Sequence, residues 1–169
     1  MSILQTERLS LRQLEKPDAP FIFKLLNDPS WIENIGDRGI RTLEDAESYI
    51  INSANAMYER YGFSLLLVET KEPIVSIGLC GLIKRDSLED ADLGYAFLPD
   101  YWGRGYAFEA AAATVANCKD THQLSRIVAI TLPTNQPCIK LLKKLGFQFE
   151  RVIILEGDDE ELELYGRML

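Results

Sequence analysis

The chain predicts an α+β fold: one mixed, mostly antiparallel sheet of about six to seven strands with helices on both faces, in the order βααβββαβαββ. Three observations carry this expectation. Apolar and polar residues alternate at the amino terminus, three β-rich runs separated by turn signals fill Phe63 to Phe97, and two helical stretches interrupt the strands of the carboxy-terminal half. Strands and helices do not alternate strictly, which argues against a doubly wound parallel sheet. At 169 residues the chain has the length of a single domain, 1–169, large enough to bury a core without disulfides or a structural metal.

Each element has a local reason. In Thr6 to Leu14, Leu9 and Leu11 share one face with polar groups between them, the period of a half-buried strand. Asp18 is placed to cap a helix through Phe21, Ile22, Leu25 and Leu26, with Pro20 in its first turn and Asp28-Pro29 at its end. Thr42-Leu43-Glu44-Asp45 is a loose capping box, after which Ala46, Tyr49, Ile50, Ser53 and Met57 recur at helical spacing until Gly62. Phe63–Val68, Ile74–Ile83 and Asp92–Phe97 then read as an antiparallel meander. Ala107 to Lys119 is an alanine-rich helix suited to close packing on a sheet. Arg126–Thr131 is a buried strand, Pro137 to Leu145 a helix stopped at Gly146, and the last two strands flank the acidic turn Gly157-Asp158-Asp159-Glu160.

Composition narrows the function. The net charge of -8 argues against general binding to nucleic acid, so any anionic ligand needs a local positive site. No basic start precedes an apolar run and no apolar stretch is long enough to span a bilayer, so a cytosolic protein that does not bind membranes is expected. Cys80, Cys118 and Cys138 are odd in number and unclustered, which favours reduced thiols and no metal site.

Tyr101-Trp102-Gly103-Arg104-Gly105-Tyr106-Ala107 joins a strand to the alanine-rich helix. The first turn of a helix leaves its amides unpaired at the positive end of the dipole, which suits a phosphate. Gly103 and Gly105 let the backbone curl into a nest, and Arg104 adds charge. Phe108 stands where a dinucleotide fingerprint needs its third glycine, and no G-K-[ST] follows as in a Walker loop.

These residues, together with Thr6-Glu7-Arg8-Leu9-Ser10-Leu11-Arg12, Asp92-Leu93-Gly94-Tyr95 and Asn135 through Leu145-Gly146-Phe147, resemble the GNAT superfamily of N-acetyltransferases over nearly the whole chain. Within it they resemble the Rim-type branch, which acetylates amino-terminal residues of ribosomal proteins. Gly105 and Ala107 fit the family's [QR]-x-x-G-x-[GA] loop, while Trp102 replaces its Gln or Arg. The resemblance implies acetyl-CoA as cosubstrate. Backbone groups at Phe97 and Leu98 would hold its pantetheine arm, amides from Trp102 to Ala107 (with Gly103, Arg104, Gly105 and Tyr106) its pyrophosphate, and Asn135 the arm's other side. Gly94 would lie near a bulge that splays two strands and opens a slot for the thioester.

Acetyl transfer to an amine needs a base, a polarised thioester carbonyl and an acid for the thiolate. A backbone N–H near Ala96 or Phe97 is the expected oxyanion donor. Asp90 and Asp92 are candidate bases acting through water, although a plain exposed strand-edge carboxylate is the commoner state. Relatives often carry a Tyr four residues before the Gly-Phe pair as the acid; here that position is Leu142, while Cys138 stands where the Rim-type branch often has Ser. Cys138 is thus either the acid or a packed small hydrophobe. Trp31 and Tyr49 lie where relatives cover the acceptor, and equally suit a core. The lone His122 reads as structural, at a helix end. Lys140, Lys143 and Lys144 read mainly as a solvated face. The cluster Glu156, Asp158, Asp159, Glu160 and Glu161 either attracts a cationic amine or keeps a hairpin soluble. The leading expectation is an enzyme acting on a primary amine, a protein amino terminus or a small molecule. The alternatives are a non-catalytic acyl-CoA-binding module and an unrelated nucleotide binder. Exposed edge strands admit a homodimer.

Overall fold

A tight turn at Thr6 raises the strand count above expectation. In the computed structural model, which describes residues 2–169, the Thr6 hydroxyl accepts the Leu9 amide at 2.9 Å and the Thr6 amide donates back to the Leu9 carbonyl at 2.9 Å. The chain therefore folds on itself here. Strand β1 (Ser2–Gln5) pairs antiparallel with β2 (Leu9–Arg12), where the sequence pattern showed a single strand from Thr6. β3 (Leu65–Thr70), β4 (Ser76–Ile83) and β5 (Asp92–Phe97) continue the meander, and β6 (Arg126–Thr131), β7 (Gln148–Ile154) and β8 (Glu161–Met168) complete an eight-stranded sheet of order β1-β2-β3-β4-β5-β6-β8-β7. All neighbours run antiparallel except β5 and β6.

Helices cover both faces, as the pattern required. On one face lie α1 (Ala19–Leu26), α2 (Pro29–Asn34) and α3 (Leu43–Tyr49), and a π-helical segment, Ile50–Asn55, leads from α3 to α4 (Ala56–Tyr61), whose Tyr58 and Tyr61 pack on the opposite cluster. The first three helices and the π-helical segment bury Ile22, Leu25, Trp31 and Ile50 against Leu67, Leu79 and Ala96. On the other face α5 (Tyr106–His122) and α6 (Gln136–Lys144) bury Ala110, Ala111, Ile139 and Leu142 against Val68, Cys80, Leu93 and Phe97. Alternation along β5 thus sends Leu93, Tyr95 and Phe97 to the α5 side and Ala96 to the α1 side. Among the described residues no helix is long and apolar enough to cross a membrane, and no group of metal-ligating side chains comes together.

Caps follow the sequence with one exception. The Thr42 hydroxyl accepts the Asp45 amide at 3.0 Å and the Asp45 carboxylate accepts the Thr42 amide at 3.1 Å, closing the capping box of α3. Asp18 stands at the N-cap of α1 without bonding to it, because Arg12 claims its carboxylate through paired bonds of 2.8 and 2.9 Å. Arg12 also reaches Glu69 on β3 at 3.0 Å, and the two carboxylates raise its guanidinium well above its ordinary value. One side chain thereby ties β2 to β3 and to the start of α1.

Candidate active site

The parallel strands β5 and β6 pair at Asp92 and Val128, where the Val128 amide donates to the Ala91 carbonyl at 3.0 Å. Beyond that point they part. A cavity of about 1090 Å³ occupies the gap, lined from β5 by Asp92 through Phe97, from β6 by Ala129 to Thr131, and from the α1 side by Trp31 and Tyr49. The β4–β5 ladder runs without a register shift past Gly94, so the splay arises between β5 and β6 and not from a bulge against β4. A Cβ at Gly94 would press Ile83 at 3.0 Å and Leu65 at 3.4 Å, so close side-chain packing is the local reason for glycine there.

The hydrogen-bond parity of β5 decides which main-chain groups face the gap. The Leu98 amide donates to the Ile77 carbonyl at 3.0 Å, which makes Phe97 and Gly78 a non-hydrogen-bonded pair. The N–H and C=O of Phe97, and by alternation those of Tyr95, therefore point away from β4 into the cleft. Those of Ala96 and the Leu98 amide point to β4, while the Leu98 carbonyl accepts the Tyr101 amide at 2.9 Å, so Phe97, of the two expected oxyanion donors, is the one whose amide is available. Its carbonyl accepts the Trp102 indole N–H at 2.8 Å.

At the outer end of the cleft, Gly103 and Gly105 adopt φ of 74° and 82°, a region that side chains rarely enter. The chain curls there and runs into α5. The Trp102 amide is spent on the Pro99 carbonyl at 3.1 Å. Among the described residues the amides of Gly103, Arg104, Gly105, Tyr106, Ala107 and Phe108 have no acceptor, and the helical bonds resume with the Glu109 amide on Gly105 at 3.0 Å. The unspent row begins one residue later than expected and ends one later. This is a nest of donors at the positive end of a 17-residue helix, fitted to a pyrophosphate.

Arg8, which the sequence reading left without a role, braces that loop. It donates to the Arg104 carbonyl at 3.0 Å and to Glu109 at 2.9 Å, and its guanidinium lies 4.4 Å over the Tyr106 ring. Arg104 itself lies over the Tyr101 ring at 5.6 Å. Arg8 directly precedes β2 and Arg12 ends it, so the two arginines flank one short strand.

The inner end of the cleft divides its chemistry between the two faces of the sheet. Asp92 is 1% exposed and directed with Ala96 toward the α1 side. Its Oδ2 accepts the Arg85 Nε at 2.8 Å, while its Oδ1 is buried without a partner among the described residues. Burial pushes its carboxyl up and Arg85 only partly opposes this. Asp90 lies outside the lining and pairs with Arg126 at 3.1 Å. On the opposite face the Tyr95 hydroxyl faces the Cys138 thiol; burial first, then that neighbour, pushes the phenol far above its ordinary range. Leu142 is 1% exposed and apolar, whereas Tyr95 and Cys138 each carry a polar hydrogen on this face of the cleft. The place of Tyr95 was readable in Asp92-Leu93-Gly94-Tyr95, whose odd spacing sends Asp92 and Tyr95 to opposite faces. Asn135 caps α6 by accepting the Cys138 amide at 3.3 Å, and both residues line the cleft.

Trp31 and Tyr49 are both packed in the α1-side core and both line the cavity. The acidic turn between β7 and β8 is exposed and contributes nothing to the lining. Its Asp158 carboxylate accepts its own turn's Asp159 and Glu160 amides. His122 sits at the end of α5, edge-on to Phe63 at 5.5 Å.

A splayed parallel pair with an amide nest at its mouth can admit an extended ligand that ends in a phosphate. The sequence matches the model of the acetyltransferase (GNAT) domain over residues 8–148, and the chain belongs to that family and is an acyltransferase. It is 33% identical over 153 residues to YoaA of Bacillus subtilis (strain 168), an uncharacterized N-acetyltransferase, covering 89% of this chain and 85% of that one. An acetyltransferase from Agrobacterium tumefaciens str. C58 superposes with a TM-score of 0.83 at 25% identity, over 98% and 94% of the two chains. RimL, a ribosomal L7/L12 α-N-protein acetyltransferase solved with coenzyme A, superposes with a TM-score of 0.84 at 16% identity over 100% and 98%, a likeness of fold.

Proposed function

We propose that the chain transfers an acetyl group from acetyl-CoA to a primary amine, of a protein amino terminus or a small molecule, by direct attack on the thioester carbonyl. The observation that supports this best is a single cleft joining the unspent amides of Gly103 to Phe108 to the buried carboxylate of Asp92. Acetyl-CoA supplies the activated acyl group; the rest is the work of the chain. The amides at the start of α5 bind the pyrophosphate, and the edge of β5 at Tyr95 and Phe97 aligns the pantetheine arm. Asp92 accepts a proton from the amine through water, and its raised affinity for protons suits that role at neutral pH. The Phe97 amide stabilises the oxyanion as the C–N bond forms. When the C–S bond breaks, Tyr95 or Cys138 returns a proton to the sulfur. Proton removal and proton return then lie on opposite faces of one sheet, so neither group competes for the other's proton.

Calorimetry with acetyl-CoA, followed by thiol release on amines and amino-terminal peptides, tests the proposal. Binding with turnover is the expected result. The absence of Tyr at Leu142 favours one rival, an acyl-CoA-binding module without catalysis. Tight binding with no turnover on any amine would establish that rival, and no binding would overturn both.

A further inference from the structure

The acceptor end of the cavity holds donors for which acetyl transfer alone has no use. The chain carries a net charge of -8, yet Arg38, Lys84 and Arg85 ring this end, with Glu33 and Asp92 as the opposing charges. Lys84 is spent, its ammonium donating to the Arg85 carbonyl at 2.8 Å and to that of Leu88. Arg85 is not. Its Nε holds Asp92, its side chain is 27% exposed, and among the described residues its two terminal nitrogens have no partner. Arg38 is exposed and has no hydrogen-bond or ion-pair partner among the described residues. Both guanidiniums lie close enough to the Tyr49 hydroxyl to oppose the effect of its burial. Beside them the Trp31 indole N–H, in a residue 5% exposed, is buried without an acceptor.

Resting on the acetyltransferase reading above, we infer that the acceptor is a small amine bearing a carboxylate a few bonds from its nitrogen, of which an α-amino acid is the simplest case. Arg85 and Arg38 hold the carboxylate, and the amine lies beside Asp92. The geometry that points there is the Asp92–Arg85 pair, a negative and a positive group fixed 2.8 Å apart, each with an unspent end: Oδ1 on one and the terminal nitrogens on the other. An acceptor with opposite charges at short spacing satisfies both ends at once, and a planar carboxylate matches a guanidinium fork in two bonds. A diamine would bring its second cation against Arg38 and Arg85, a like-charge contact. A peptide amino terminus offers a neutral carbonyl at that spacing and leaves the guanidiniums unmatched. The acidic turn that might have drawn cations lies away from the cavity.

The test compares each of several α-amino acids with its own α-carboxamide in the thiol-release assay, alongside spermidine and amino-terminal peptides. Acids should exceed amides by at least about tenfold in kcat/KM, mainly through KM. Arg85→Gln should bring that ratio near one while calorimetric binding of acetyl-CoA stays unchanged. Arg38→Gln, at an exposed and unpaired side chain, should narrow the ratio by a smaller factor and covers the case in which the Arg85 variant fails to fold. Equal use of acid and amide, or preference for spermidine or peptides, overturns the inference and leaves the transferase intact. Where turnover is absent, thermal stabilisation of the CoA-loaded protein by the acid but not the amide supports it, and equal or no stabilisation overturns it. Failure of the unaltered protein to bind acetyl-CoA overturns the transferase reading and this inference together.

Discussion

The two ends of the cleft are built from different materials. At the mouth, recognition is a property of the main chain: glycine-permitted curvature, unspent amides and a helix dipole, with side chains such as Arg8 acting as braces. At the inner end it is a property of side chains: a buried carboxylate, an arginine it orients, and an indole and a carboxylate oxygen without partners. A main-chain site needs only that certain residues be absent or small, so it tolerates almost any sequence around two glycines. A side-chain site depends on pairs brought together from distant segments, such as Arg85 with Asp92 and Trp31 with Tyr49.

Substitutions can separate the two ends. The largest effect is expected at the side-chain end. Asp92→Asn should lower kcat by about 10²–10⁴-fold, the usual worth of a positioned base, while acetyl-CoA affinity holds in calorimetry. Because burial raises this carboxyl, the unaltered enzyme should lose kcat/KM as pH falls through a value above the ordinary carboxylate range, and that acid limb should vanish in Asp92→Asn. At the main-chain end, Gly105→Ala forces a side chain into φ 82° with its Cβ 3.3 Å from Arg8. The backbone cost of about 1–2 kcal/mol should appear chiefly as a higher Kd for acetyl-CoA, with kcat at saturation little changed. Equal damage to kcat and Kd would mean that the two ends do not act separately.

Tyr95→Phe keeps the ring and removes the hydroxyl that faces Cys138. A fall of about tenfold in kcat, deepened by adding Cys138→Ala, would assign the returned proton to this pair; an unchanged rate would leave thiolate protonation to solvent. The smallest effect lies outside the cleft. Burial lowers the His122 pKa, so as pH falls below about 6.5 the unfolded chain takes up a proton that the folded one resists. Stability therefore falls with acid in that window. His122→Gln should flatten this part of a Tm-against-pH series without altering turnover.

The same division explains what could be read from the sequence. Most of the strand order was legible because each segment carries its own period and punctuation, and β6 was bounded to the residue, whereas α2 was not, since Asp28-Pro29 reads as a helix end and in fact caps a new helix. The hairpin at Thr6 escaped because a hydroxyl-closed turn leaves no glycine or proline to mark it. The amide nest was legible from Gly103 and Gly105 alone, although the exact start of the unspent row depends on Pro99. Arg85 was not legible, since nothing local distinguishes it from Lys84, whose ammonium is consumed by carbonyls. Tyr95 was legible only as a strand residue, because its neighbour Cys138 comes from the distant helix α6.

The chain's two tryptophans happen to report on these two ends separately. Trp102 is 54% exposed and bonded to the Phe97 carbonyl on β5, whereas Trp31 is 5% exposed in the wall of the inner end of the cleft. Their fluorescence should differ accordingly, the first emitting toward the red and quenched by soluble iodide, the second emitting toward the blue and shielded. On the proposed function, an emission spectrum splits into a channel for cofactor and a channel for acceptor, and the order in which the two arrive can be followed in a stopped-flow trace with no label attached.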